Sequence, residues 1–103
     1  MITETDKHGN THYYVDSIRP AAIKQYSRNA KIWYLFGKKH KLDGPAVIHV
    51  NGDTEYWQYG KRHREDGPAV KYINTRYTSN LYYLCGIGYD YSVYLKLIKL
   101  NKL

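Results

Sequence analysis

Apolar residues along this chain fall in short runs separated by Gly, Pro, Asn and Asp. Thr11-His12-Tyr13-Tyr14-Val15, Lys31-Ile32-Trp33-Tyr34-Leu35-Phe36, Glu55-Tyr56-Trp57-Gln58-Tyr59 and Leu81-Tyr82-Tyr83-Leu84-Cys85 have the aromatic content of strands. Ala46 to Val50 and Ala69 to Ile73 alternate in polarity and are rich in β-branched residues. Arg19-Pro20-Ala21-Ala22-Ile23 opens in the same way. The chain therefore reads as about four aromatic strands alternating with three that begin at a Pro-Ala pair. Asn51-Gly52 predicts a tight hairpin, because both residues accept positive φ. Pro45 and Pro68 fit the first residue of a strand, where a missing N–H does least harm. The carboxylates of Asp43 and Asp66 can accept backbone N–H groups in the turns just before those prolines. After Asp90 the period changes. Val93, Leu97 and Leu100 share one helical stripe, flanked by Tyr94 and Ile98, with Asp90 or Ser92 as N-cap. Lys96, Lys99 and Lys102 lie away from that stripe and read as a wet helix face.

These elements predict one mainly β domain over residues 1–103. It is an antiparallel meander of repeated β-hairpins, with about six to eight strands over 11–89. A C-terminal amphipathic helix over 90–103, formed from Ser92 to about Asn101, closes one end or face of the sheet.

The repetition is literal in the middle of the chain. GKKHKLDGPAV, from Gly37 to Val47, returns 23 positions later as GKRHREDGPAV, from Gly60 to Val70. Such a period marks a repeated supersecondary unit. The phrase G-K-x-H-R-x-D-G-P-A resembles repeats of small proteins from tailed bacteriophages and some large viruses. It is similar, more loosely, to the MORN-type β-hairpin repeat. The likeness covers Gly37 to Val70, with weaker matches over Arg19 to Phe36 and Lys71 to Gly86. The first copy departs from it, reading His40-Lys41-Leu42-Asp43 where the pattern has His-Arg. The resemblance implies a hairpin-repeat scaffold, no enzyme activity and a phage accessory or counter-defence role in the host cytoplasm.

Charge gives the repeat a candidate chemistry. The 103 residues hold 16 Lys and Arg against 9 Asp and Glu, for a formal net charge of +7. That balance favours anionic partners and also aids solubility. Lys38, Lys39, His40 and Lys41 occupy one connection, and Lys61, Arg62, His63 and Arg64 its copy. If each repeat is two strands, equivalent positions lie about 10 Å apart, twice the strand spacing. The two clusters then form one ridge of permanent charges and imidazoles. Lys and Arg suit phosphate as point charge and fork, His as a switchable donor. Tyr59 and the other tyrosines, 13 in all against one Phe, suit sheet packing and also stacking on bases.

The expected ligand is thus an anion, a nucleotide signal or a nucleic acid, bound by these nine residues without a cofactor. The bland alternative makes them solvated turn residues, with Asp43, Glu65 and Asp66 cancelling part of the field and each His bonded to the Asp that follows. A second functional class is a protein inhibitor or scaffold that meets a host protein through its aromatic sheet face or C-terminal helix. A third is a virion component. Self-association through a sheet edge is compatible with each. Metal binding is disfavoured, since the chain lacks paired cysteines and its His residues sit among cations. No nucleophile elbow, P-loop or dinucleotide fingerprint occurs. Cys85, on an aromatic strand, reads as a small buried residue. The polar first ten residues lack a signal-peptide core, and no apolar run is long enough to span a bilayer, so a soluble, cytoplasmic protein is expected.

Overall fold

The computed structural model describes residues 1–20, 26, 28–76 and 78–101. Among the described residues eleven short strands precede one helix. They are β1 (Ile2–Thr5), β2 (Thr11–Tyr14), β3 (Lys31–Leu35), β4 (Lys38–Lys39), β5 (Val47–Ile48), β6 (Thr54–Glu55), β7 (Trp57–Gln58), β8 (Lys61–Arg62), β9 (Val70–Lys71), β10 (Tyr82–Leu84) and β11 (Ile87–Tyr89). The helix is α1 (Tyr91–Asn101).

The fold is mainly β with a C-terminal helix, but it is not one antiparallel meander. The main sheet runs β1-β2-β3-β5-β6-β9, with β4 paired to β3, while β7-β8 and β10-β11 form two separate ribbons. Strands β2 and β3 pair in parallel, Thr11 opposite Lys31 through Tyr14 opposite Tyr34. A parallel neighbour needs a long return path, which residues 15–30 supply. The expected strand start at Ala21 to Ile23 lies outside the described residues.

Parallel pairing matches the two side-chain patterns. His12 and Tyr14 on β2, and Ile32 and Tyr34 on β3, all point inward and are buried. Tyr14 stacks on Tyr34 at 4.9 Å between centroids, and on the other face Tyr13 stacks on Trp33 at 4.6 Å. Tyr14, Tyr26, Ala30, Ile32, Tyr34 and Val47 make the central cluster, with Trp57 packed against it. Here the tyrosines serve packing. The Tyr34 hydroxyl is held within the core: Tyr34 Oη meets His12 Nδ1 at 3.0 Å, and His12 Nε2 meets Asp6 Oδ2 at 3.0 Å. The histidine holds the Asp6 carboxyl well below its usual range, and burial raises Tyr34. Asp6 belongs to the hairpin that adds β1, an edge strand the sequence pattern does not reveal.

The Pro45-Ala46 and Pro68-Ala69 pairs each place an alanine in the interior. Ala46 and Ala69 are wholly buried, and their carbonyls accept the Trp33 and Tyr56 N–H groups. The strands begin one residue later, at Val47 and Val70. The aromatic run Glu55 to Tyr59 is not one strand. It breaks at Tyr56, so that Glu55 stays in the main sheet and Trp57 joins a ribbon. The Asn51-Gly52 connection does join two antiparallel strands, but as a five-residue loop from His49 to Asp53. Only Gly52 has positive φ, because Asn51 Oδ1 instead accepts the Asp53 N–H at 3.0 Å.

The helix starts at Tyr91, one residue before the expected Ser92. Its packing face differs from the expected stripe. Tyr94 is 2% exposed and Leu97 and Ile98 are half-buried, whereas Val93 and Leu100 are exposed. The helix packs against β10, where the Tyr91 and Tyr94 rings lie 4.8 and 5.0 Å from that of Tyr82.

Candidate functional site

The tight turns that organise the repeat sit one residue earlier than the cationic phrase suggests. Phe36-Gly37, Tyr59-Gly60 and Cys85-Gly86 each have two consecutive positive φ values, between 49° and 83°. Each pair closes a two-residue hairpin loop: Leu35 faces Lys38, Gln58 faces Lys61 and Leu84 faces Ile87. Two left-handed residues give the primed turn whose twist matches the strands. Phe, Tyr and Cys are unusual there, so the sequence conceals these turns. Cys85 is therefore exposed at a turn, not buried on a strand.

The three hairpins lie side by side, joined by backbone bonds. Gly60 N–H donates to Lys39 O and Lys41 N–H to Trp57 O. One repeat later, Gly86 N–H donates to Arg62 O and Arg64 N–H to Tyr83 O. A side chain then fastens each turn. His40 Nδ1 accepts the Tyr59 N–H at 3.0 Å, and His63 Nδ1 accepts the Cys85 N–H at 2.9 Å. Asp16 Oδ2 does the same for the Phe36 N–H at 2.8 Å. So the two repeat histidines hold the next hairpin in register, with Nδ1 unprotonated. Neither bonds the Asp that follows it. His63 Nε2 lies 3.4 Å from Glu65 instead. Burial lowers the His40 pKa, which keeps the accepting form. Asp16 was missed because it is not a histidine and lies outside the duplicated phrase.

The cations fall into three groups. Lys39 Nζ lies 4.5 Å from the Trp57 centroid, and the Arg62 guanidinium lies 5.3 Å from both Trp57 and Tyr83. Lys39, Trp57, Arg62 and Tyr83 thus alternate in one column. Glu55, buried at 5% exposure, anchors its side: it accepts Trp57 Nε1 at 3.0 Å and His49 Nε2 lies 2.6 Å away, with Arg62 at 3.8 Å. On another face Lys41 Nζ covers Trp33 at 3.9 Å and Arg64 covers Tyr56 at 4.0 Å. Arg64 also donates to Asp66 at 3.0 Å and to the Pro68 carbonyl, so Asp66 engages a side chain and not the turn N–H groups. Lys38 and Lys61 form the third group. Both are exposed, and among the described residues neither makes an ion pair. Tyr59 is exposed and packs its ring on His40 at 4.2 Å.

Adjacent turns bring the two cationic segments together, as the duplication predicts. A Cβ built on Gly60 falls 3.4 Å from Lys38 Cβ, and one on Gly86 falls 3.5 Å from Lys61 Cβ. Each lysine stem therefore lies across the glycine of the next turn, at van der Waals distance from the place a Cβ would take. Two equivalent grooves result. One of about 270 Å³ is bordered by Gly37, Lys38, Lys39, Trp57 and Gly60. The next, of about 390 Å³, is bordered by Gly60, Lys61, Arg62, Tyr83 and Gly86. Each offers two cations and two aromatic rings, Tyr34 with Trp57 in the first and Trp57 with Tyr83 in the second.

Among the described residues no group of three or more His, Cys, Asp or Glu side chains is placed to hold a metal ion. No described helix is long and apolar enough to cross a membrane. Compared with known proteins, the chain matches no family model, no curated protein and no solved structure.

Proposed function

We propose that this protein is a non-enzymatic binder of a repeating anion, a short single-stranded nucleic acid or an oligonucleotide signal, held along the two lysine-edged grooves. One observation carries this reading: Lys38 with Lys39 beside Trp57 is repeated, one turn on, by Lys61 with Arg62 beside Tyr83. A ligand with a phosphate and a flat base per unit meets the same chemistry at each step. Lys38 and Lys61 carry the contact, because their charges are exposed and unpaired among the described residues. Lys39 and Arg62 are already stacked on rings, and they orient the grooves more than they supply free charge. His40 and His63 act as fasteners of the scaffold. A counter-defence role, in which such a ligand is withdrawn from a host pathway, fits a binder without catalysis.

The test is fluorescence anisotropy with a labelled oligo-thymidine of twelve nucleotides, across a salt series. The double variant Lys38→Ala/Lys61→Ala should bind on the order of tenfold more weakly. Its slope of log affinity against log salt should fall by about 1.4, the loss of two phosphate contacts on a single strand. Unchanged affinity and slope would remove the reading.

A further inference from the structure

The two copies of the Asp-Gly-Pro-Ala loop have the same backbone surroundings but different tenants. In the second copy, Tyr94 of α1 inserts its ring beside Tyr82, 5.0 Å between centroids, and brings its hydroxyl to the loop. Gly67 N–H donates to Tyr94 Oη at 3.2 Å, and the carbonyls of Arg64 and Gly67 lie within reach of the phenol proton. Burial raises the pKa of this phenol, so it stays a donor.

The first copy has corresponding parts. Lys41 and Gly44 take the places of Arg64 and Gly67 in the repeat. Tyr56, two residues before Gln58 in its hairpin, takes that of Tyr82, two before Leu84, and it carries the Arg64 guanidinium 4.0 Å from its centroid. Lys41 curls over Gly44, 3.9 Å from a Cβ built there, as Arg64 curls over Gly67 at 3.0 Å. No helix follows this copy. Among the described residues the Gly44 N–H makes no hydrogen bond. A groove of about 670 Å³ opens there, lined by Lys41, Leu42, Gly44, Tyr56 and Gln58 among others. Leu42 is 69% exposed at the position where the second copy has Glu65. Its carboxylates (Asp43, Glu65 and Asp66) offset Lys41 and Arg64, so this groove does not select by charge.

We propose that the Lys41–Gly44 loop is a seat for a tyrosine carried, as Tyr94 is, on an aliphatic helix of a protein partner. The Gly44 N–H supplies the donor and the loop carbonyls accept the phenol proton. Leu42 covers the aliphatic neighbours. This site is separate from the lysine-edged grooves and does not depend on them.

The test uses the ¹⁵N-labelled full chain and a capped peptide copying Ser92 to Leu97, which already fits the second seat. Titration should move the Gly44 amide resonance saturably. The peptide with Phe in place of its tyrosine should bind on the order of tenfold more weakly, because the loop groups are left unpaired. Leu42→Glu, an exposed change that copies the second loop, should weaken the tyrosine peptide and leave the oligonucleotide affinity unchanged. A Gly44 amide that does not move, or equal affinity for the Phe peptide, would overturn the seat. Dimerisation of the free protein that shifts Gly44 would assign the seat to a second copy and overturn the partner.

Discussion

His40 and His63 do the same job in different surroundings. Each accepts one backbone N–H of the next turn through Nδ1. His40 is 8% exposed and lies under the Tyr59 ring. His63 has no such cover, since its turn begins with Cys85, and its second nitrogen faces Glu65 at 3.4 Å. An identical residue in an identical bond is thus covered by a ring in one repeat and, in the next, left without that cover at 14% side-chain exposure. The repeat specifies the bond, and the side chain that follows it one repeat later decides how much the bond contributes.

Removing the rings separates the two most sharply. His40→Ala should destabilise by about 2–3 kcal/mol, because it leaves a part-buried N–H unpaired and removes the buried ring that Tyr59 packs on. His63→Ala should cost about 1 kcal/mol, since water can replace its acceptor. Urea unfolding midpoints measure both, and equal losses would mean that burial plays no part. His→Asn at either site keeps an acceptor and should recover part of the loss.

Acid should distinguish them next. A protonated Nδ1 cannot accept the N–H. The folded His40 has a lowered pKa, so between its folded and unfolded values the unfolded chain binds more protons. Its contribution is complete above about pH 6.5, the ordinary histidine value, and is lost as pH falls through the lowered one. The stability curve of His40→Asn should be flatter than that of the parent chain between pH 7 and pH 5. A parallel curve would remove His40 as the cause.

The smallest effect lies in the turns. A non-glycine residue in the left-handed region costs about 1–2 kcal/mol, and glycine adds back about 0.5–1 kcal/mol of unfolded-chain entropy. Cys85→Gly, at an exposed site, should therefore stabilise by about 0.5 kcal/mol in thermal melts. Tyr59→Gly relieves the same strain but uncovers His40, so it should be destabilising. If both gained stability, the Tyr59–His40 stack would be irrelevant.

The duplicated phrase made the repeated hairpins and the adjacency of the lysines legible, and the change of period after Asp90 the C-terminal helix, because spacing and polarity carry them. It could not show the turn at Tyr59-Gly60, since tyrosine gives no sign of positive φ. Nor could it show that β2 and β3 run parallel, because His12-Tyr13-Tyr14 alternates alike in either direction. The spacing of the duplication carried the adjacency of the two cationic segments, but not the contacts their side chains make. His40 looked like a ligand group because its hydrogen-bond partner, nineteen residues on, is a backbone amide without side-chain identity. Tyr94 escaped notice as a loop-binding residue because its stripe suggested only a greasy face.

The fastening of each hairpin by the one before it has a consequence for how such a chain varies in length. Cutting out Lys38 to Gly60 would join Gly37 directly to Lys61 and put Val70 where Val47 now meets Ile32. Inserting another copy would extend the series in the same manner. Descendants of this sequence can therefore differ by whole units, with the two ends unchanged, and a longer member would carry more rungs of the same kind.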